Sequence, residues 1–258
     1  MIRGALAALA LAAASPALAG DLAPGGTLRA TFLAGNPVQG RVDAAANIVS
    51  GPAFDLVREL ARRERIPFSI TPLPGVRPVI DSVKSGAADI GFLAFDPARA
   101  AEVDFSQSYS LAHNTYLVLA ASPIRDAGDI DKPGIRIGVG QGDAGHLHLE
   151  RTLKQATLKP NPGGSLDEAR RLLAAREIDA YAANRQRLSE AVAQFPETRL
   201  LPDNFLAVEQ AIIVPKGSAA RLDIVDRFID EMRDSGFIRS SIISAKLNGV
   251  DVAPKRPR

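Results

Sequence analysis

An arginine two residues past an Asp-Pro pair, itself placed directly after a short apolar run, is the strongest chemical feature of this sequence. Ile90 to Phe95 is too short and too uniformly apolar for an amphipathic helix and reads as a buried strand. Asp96 can cap a helix start and Pro97 suits its first position, so a short helical turn carrying Arg99 begins here. In open α/β sheets, ligands bind beyond the carboxyl ends of the strands. A guanidinium held there, beside the free N–H groups of a helix start, can grip a carboxylate with two parallel hydrogen bonds. The competing reading is a surface arginine paired with Glu102 or Asp104, and spacing alone leaves both open.

A second candidate is Asp143, in the glycine-spaced run Gly140-Gln141-Gly142-Asp143-Ala144-Gly145. The run lacks the Lys-Ser/Thr of a phosphate-binding loop and has no acidic partner on a following strand at the dinucleotide spacing, so no nucleotide cofactor is expected. Asp143 is then either a helix N-cap or a ligand contact. His146, His148 and Glu150 could suggest a metal, but residues two apart on a helix point to different faces. A solvated helix face, and no metal, is the expectation. His113 sits where the chain could cross between two lobes. Gly-x-Ser-x-Gly and cysteine nucleophiles are both missing, and no carboxylates form an identifiable acid–base pair, so nothing here demands an enzyme.

The elements that position these residues alternate. Strands are expected over 28–33, 66–70, 90–95, 115–120, 135–139, 178–183, 198–201 and 208–214. Helices are expected over 53–63, 76–84, about 144–155, 166–176, from Asn184-Arg185 to Phe195, 219–233 and 237–245. Gly51-Pro52 introduces the first helix, Ser165-x-x-Glu168 forms a capping box for the fourth, and Ser235-Gly236 separates the last two. Such alternation implies an α/β architecture with a mainly parallel sheet.

Composition is that of an ordinary globular chain: 258 residues, 46% hydrophobic and 23% charged, enough for one large or two ordinary domains. The formal net charge of +2 gives no reason to expect a nucleic-acid partner. Arg3, the apolar run Ala5–Ala14 and Ala17-Leu18-Ala19 fit a signal peptide over 1–19, too short for a permanent membrane anchor. With no cysteine, neither disulfides nor a lipidated cysteine is expected. The basic end, 251–258, reads as a solvated tail.

Taken together, these stretches resemble the bacterial extracellular solute-binding proteins of family 3, the periplasmic amino-acid receptors of ABC transporters. Ser85-Gly86-Ala87-Ala88-Asp89-Ile90, Pro97-Ala98-Arg99 and Val103-Asp104-Phe105-Ser106-Gln107-Ser108-Tyr109 match that family's Ser-Gly-x-x-Asp, Thr-x-x-Arg and Val-Asp-Phe-Ser-x-Pro-Tyr in order. Phe54-Asp55-Leu56, Ile137-Gly138-Val139 with Gly142, Ile178-Asp179-Ala180 and Ile213-Val214-Pro215-Lys216-Gly217 extend the likeness over nearly the whole chain. The resemblance implies a two-lobed periplasmic binding protein fold of type II with two hinge crossings. Lobe one would be 24–111 plus 208–250 and lobe two 112–207. It further implies a soluble periplasmic monomer that hands a small solute to an inner-membrane ABC permease, without cofactor and without catalysis.

On that resemblance Arg99 holds the ligand carboxylate, with Asn184, Asp143, Asn36, Ala94 and Asp96 as neighbouring positions and Phe92 or Phe95 as apolar wall. Several of these depart from the family pattern. Asn184 stands where an Asp pairs with an α-ammonium, Asp143 where a Thr follows the glycine, Ala94 where a hydroxyl is usual, Asp96 where a Thr precedes Pro, and Asn36-Pro37 where an aromatic precedes Pro. Either Asp143 or Asp96 takes over the ammonium, or the ligand is not an ordinary α-amino acid. Two other roles remain open on this fold: an enzyme like cyclohexadienyl dehydratase, and a ligand receptor for a membrane sensor or redox system.

Overall fold

A computed structural model describes residues 20–43, 45 and 48–255; the expected signal peptide and the last three residues of the basic tail lie outside them. One sheet runs through the whole molecule. Its first part is parallel, with β4 (Phe68–Leu73), β1 (Leu28–Leu33) and β5 (Ile90–Ala94) side by side. β11 (Leu206–Pro215) then lies antiparallel to β5 and to β6 (Val103–Leu119). The far half of β6 pairs with β9 (Ala180–Asn184), which is followed by β7 (Arg136–Gly140) and the edge strand β8 (Thr157–Asn161), parallel again. β10 (Thr198–Leu200) and β12 (Val250–Val252) also pair with β6. β6 and β11 are thus the two crossings between the lobes of a type II periplasmic binding protein fold.

Each lobe buries its own apolar face. Leu28, Phe32, Ile90, Phe92 and Tyr109 form one core under α1 (Pro52–Glu64), α7 (Ala219–Asp234) and α8 (Phe237–Ser244). Beyond the crossing, Tyr116, Ile137 and Val139 pack on one side of the sheet and Leu117, Leu173, Tyr181 and Leu188 on the other. Burial of one such side chain contributes about 1.5–3 kcal/mol. Local signals set the helix ends. Pro52 opens α1 and a left-handed Arg65 (φ 58°) closes it. Before α5 (Leu166–Ala174), Ser165 Oγ accepts from the Glu168 N–H at 3.3 Å, but the Glu168 carboxylate turns to Arg171, so only half the capping box forms.

Four stretches differ from the pattern-based expectation. The strand after α1 starts at Phe68, because the left-handed turn at Arg65 and then Ile66-Pro67 intervene. β6 is continuous from Val103 to Leu119, where polarity implied a break. Ser110 is buried between β11 and β12 and Asn114 between β11 and β9, while the Ser106 hydroxyl accepts from the Ile212 N–H at 3.0 Å. β8 contains Pro160, tolerated because it pairs on one side only. Between β1 and α1, where no element is expected, lie the hairpin strands β2 (Arg41–Asp43) and β3 (Ile48–Ser50).

Candidate functional site

Strand ends from both lobes meet at one cleft. β1 ends before the turn carrying Asn36, β5 ends at Ala94, β7 leads to Asp143 and β9 ends at Asn184. These four residues line a single cavity together with Arg99. The space in which a water molecule could be centred is about 70 Å³, several times the roughly 10–15 Å³ that one water needs.

Arg99 lies in α3 (Pro97–Ala100) and is only 6% exposed. Asp96 accepts from the Ala98 N–H at 2.9 Å and Pro97 takes the first helical position, as the local sequence implies. Arg99 Nη1 donates to the Ala94 carbonyl and Nη2 to the Gly142 carbonyl, both at 2.8 Å, one in each lobe. The surface reading fails: Glu102 pairs with Arg77 and Lys84, and Asp104 with Lys216. Burial lowers the Arg99 pKa, opposed by Asp96 and Asp143, but an arginine stays charged in a protein. Two carbonyls leave part of its five-donor fork without a partner among the described residues.

Asp143 occupies the cap position of α4 (Ala144–Thr152) but makes no side-chain cap bond, which corrects its reading as a simple N-cap. Its carboxylate is turned over Gly140 instead: a Cβ on Gly140 would stand 2.2 Å from Asp143 Oδ2. Burial raises its carboxyl pKa although Arg187, Arg99 and His146 pull it down. His146 is itself buried, and its Nδ1 lies 3.4 Å from the Gly142 N–H, so the solvated-face expectation does not hold for it. Packing of α4 onto the cleft decides that. Among the described residues, no three His, Asp or Glu side chains converge as a metal site requires.

Asn184 caps α6 (Arg185–Gln194) by accepting from the Arg187 N–H at 2.8 Å, and its Nδ2 donates across the cleft to Asn36 Oδ1 at 3.3 Å. Three expected residues, Phe92, Phe95 and Asp96, fall outside the cavity lining. Phe92 is fully buried in the first-lobe core, edge-on to Tyr109, because strand alternation sends its ring away from the cleft. Phe95 packs on Phe105. Asp96 lies behind the cleft, 3% exposed, capping α3 and pairing with Arg151 of α4 at 3.2 Å. His113 does lie in the crossing strand, where its Nε2 meets Asp251 Oδ2 at 2.8 Å.

The pattern did not mark Arg187, Asn114 or the buried amide pair Gln39–Gln210, all of which line the same cavity. Gln39 Nε2 donates to Gln210 Oε1 at 3.2 Å across 171 positions of sequence, a separation no local signal can bridge. Arg187 did carry a signal: a cation in the first turn of a helix opposes the helix dipole.

The profile of the bacterial extracellular solute-binding proteins, family 3, matches residues 35–243. A solved amino-acid ABC transporter substrate-binding protein from Streptococcus pneumoniae, bound to L-arginine, superposes with TM-score 0.73 at 19% identity, covering 90% of this chain and 99% of that one. A binding component of an ABC transporter from Wolinella succinogenes, complexed with lysine, gives 0.73 at 19%, covering 85% and 95%. An ancestral amino-acid-binding protein, a precursor of cyclohexadienyl dehydratase, gives 0.72 at 21%, covering 88% and 98%. No curated protein matches the sequence. Among the described residues no helix is long and apolar enough to cross a membrane.

Proposed function

The chain belongs to the bacterial extracellular solute-binding proteins, family 3, and from that premise we propose that it is the periplasmic binding component of an ABC importer. Its ligand is a small solute bearing a carboxylate, an amino acid or a close relative. The observation that carries this reading is Arg99: a buried guanidinium lining the cleft, anchored by carbonyls of both lobes, with donors to spare. Such a group favours an oxyanion over water because burial strengthens a charge-assisted pair. We take lobe one as 24–111 plus 208–250 and lobe two as 112–207, closing on the ligand by hinge motion. The protein acts as a monomer delivering its ligand to the permease.

Calorimetric titration of amino acids and organic acids identifies the ligand. Arg99→Ala then weakens binding at least ~30-fold, since stranding one partner of a buried charge pair costs about 2–5 kcal/mol. An Arg99→Ala protein that keeps its circular dichroism spectrum and still binds as tightly as wild type would sink the assignment. A catalytic reading draws on Asp143, whose raised pKa suits a general acid. Turnover of prephenate or arogenate would support it, and the binding reading expects none.

A further inference from the structure

The charged side chains that line the cleft are two arginines and one aspartate: Arg99, Arg187 and Asp143. We propose that the cleft selects a dianion without an ammonium group, a dicarboxylate holding one carboxylate on Arg99 and the other on Arg187. The inference rests on the reading of Arg99 as a carboxylate clamp and adds the class of ligand.

Three observations carry it. Arg187 reaches the cavity from the second lobe, opposite the helix that carries Arg99. Its Nη2 donates to the Gly164 carbonyl, which fixes the guanidinium at the cavity wall. Among the described residues Arg187 makes no salt bridge with a carboxylate, although its charge acts on Asp143, and Arg99 adds a second cation against that single aspartate. The cleft therefore holds an excess of positive charge in a partly desolvated place.

Three of the amide acceptors around the cavity already take a donor. Asn184 Oδ1 takes the Arg187 N–H, Asn36 Oδ1 takes Asn184 Nδ2, and Gln39 Oε1 takes the Leu33 N–H at 3.0 Å. Asp96 lies outside the cavity lining and is paired with Arg151. That leaves the neutral amide of Asn114 and the carboxylate of Asp143, which already has Arg187, Arg99 and His146 as electrostatic neighbours. An ammonium there would become one more cation around a single carboxylate. A second carboxylate near Arg187 instead meets a planar guanidinium that has no carboxylate partner and donors left beyond the one given to Gly164.

Calorimetry with matched probes tests this: succinate, glutarate and adipate for length, then the best diacid against its monoamide and, at the five-carbon length, glutamate and glutamine. The expected result is a diacid bound at least ~30-fold more tightly than its monoamide and at least ~10-fold more tightly than its aminated counterpart. Arg187→Gln should bring the diacid to within ~3-fold of the monoamide, with the loss falling mainly on the diacid, and Arg187→Lys should restore part of the difference. Glutamine, arginine or lysine binding more tightly than every diacid, and lost in Arg99→Ala, would overturn the dianion inference and leave the carboxylate clamp standing. Equal weakening of diacid and monoamide by Arg187→Gln would also overturn it, by marking Arg187 as structural. Diacid binding that survives Arg99→Ala undiminished would overturn the clamp itself.

Discussion

Arg99 and Asp143 lie in the same cleft under opposite constraints. The guanidinium is held by two carbonyls and cannot lose its charge, whereas the carboxyl can take a proton, and burial favours that. Because the folded protein holds the Asp143 proton to higher pH than the unfolded chain does, this residue favours folding at acid pH. Above its folded pKa it is a net cost. Asp143→Asn should therefore be more stable than wild type at neutral pH, with the difference shrinking as pH falls through the folded pKa of Asp143. Thermal melts of both proteins over a pH series check this; a gap that widened towards acid would contradict it. Asp96 behaves differently because its geometry commits it. It caps α3 and pairs with Arg151, which leaves it outside the ligand cavity.

At the scale of the element, each cleft residue is delivered by a strand that stops and a helix that starts. β5 into α3, β7 into α4 and β9 into α6 repeat this junction, and each strand must pack closely for its end to be placed. Gly138 shows how closely. A Cβ there would stand 2.6 Å from Ile178 Cδ1 and 2.8 Å from Tyr181 Cδ2, and Tyr181 is fully buried and has nowhere to move. Gly138→Ala should lower stability by about 1–3 kcal/mol, read as a lower urea midpoint at unchanged slope. It should also weaken ligand binding, because β7 carries the Asp143 loop. A substitution without effect on the midpoint would mean that this part of the second-lobe core has slack.

The whole molecule adds contacts between lobes that no element has by itself. Arg99 reaches the Gly142 carbonyl, Asn184 reaches Asn36, Asp96 meets Arg151, and Asn248 Nδ2 donates to Ser189 Oγ at 3.1 Å. These ties favour the closed arrangement, and ligand affinity scales with the population of the competent form. The Asp96–Arg151 pair is the most separable, because Arg151 is half exposed. Screening limits such a pair to about 0.2–1 kcal/mol. Arg151→Ala should thus weaken ligand binding by up to ~5-fold and enlarge the unliganded radius of gyration in solution scattering. The difference should fade in high salt. An unchanged radius would show that the remaining ties suffice.

What the sequence determined by itself is local or ordered along the chain. The Asp96-Pro97 helix start, the proline opening α1, the alternation of strand and helix and the ordered run of family-like segments all act through neighbours within a few residues. They were enough to expect the α/β architecture and to single out Arg99. Tertiary structure alone decided the rest. The ring of Phe92 turns inward because strand pairing sets which face is buried. The Asp143 carboxylate leaves its cap because Gly140 leaves space beside the cleft. The buried serines of β6 stay in the strand because β11 and, at Ser110, β12 pair with it, and the Ser106 hydroxyl accepts from the Ile212 N–H. The charge balance of the cleft depends on residues 99, 143 and 187, brought together only when two lobes fold and face each other. Periodicity reports which face of an element is buried, but what lies across from that face is set by long-range packing.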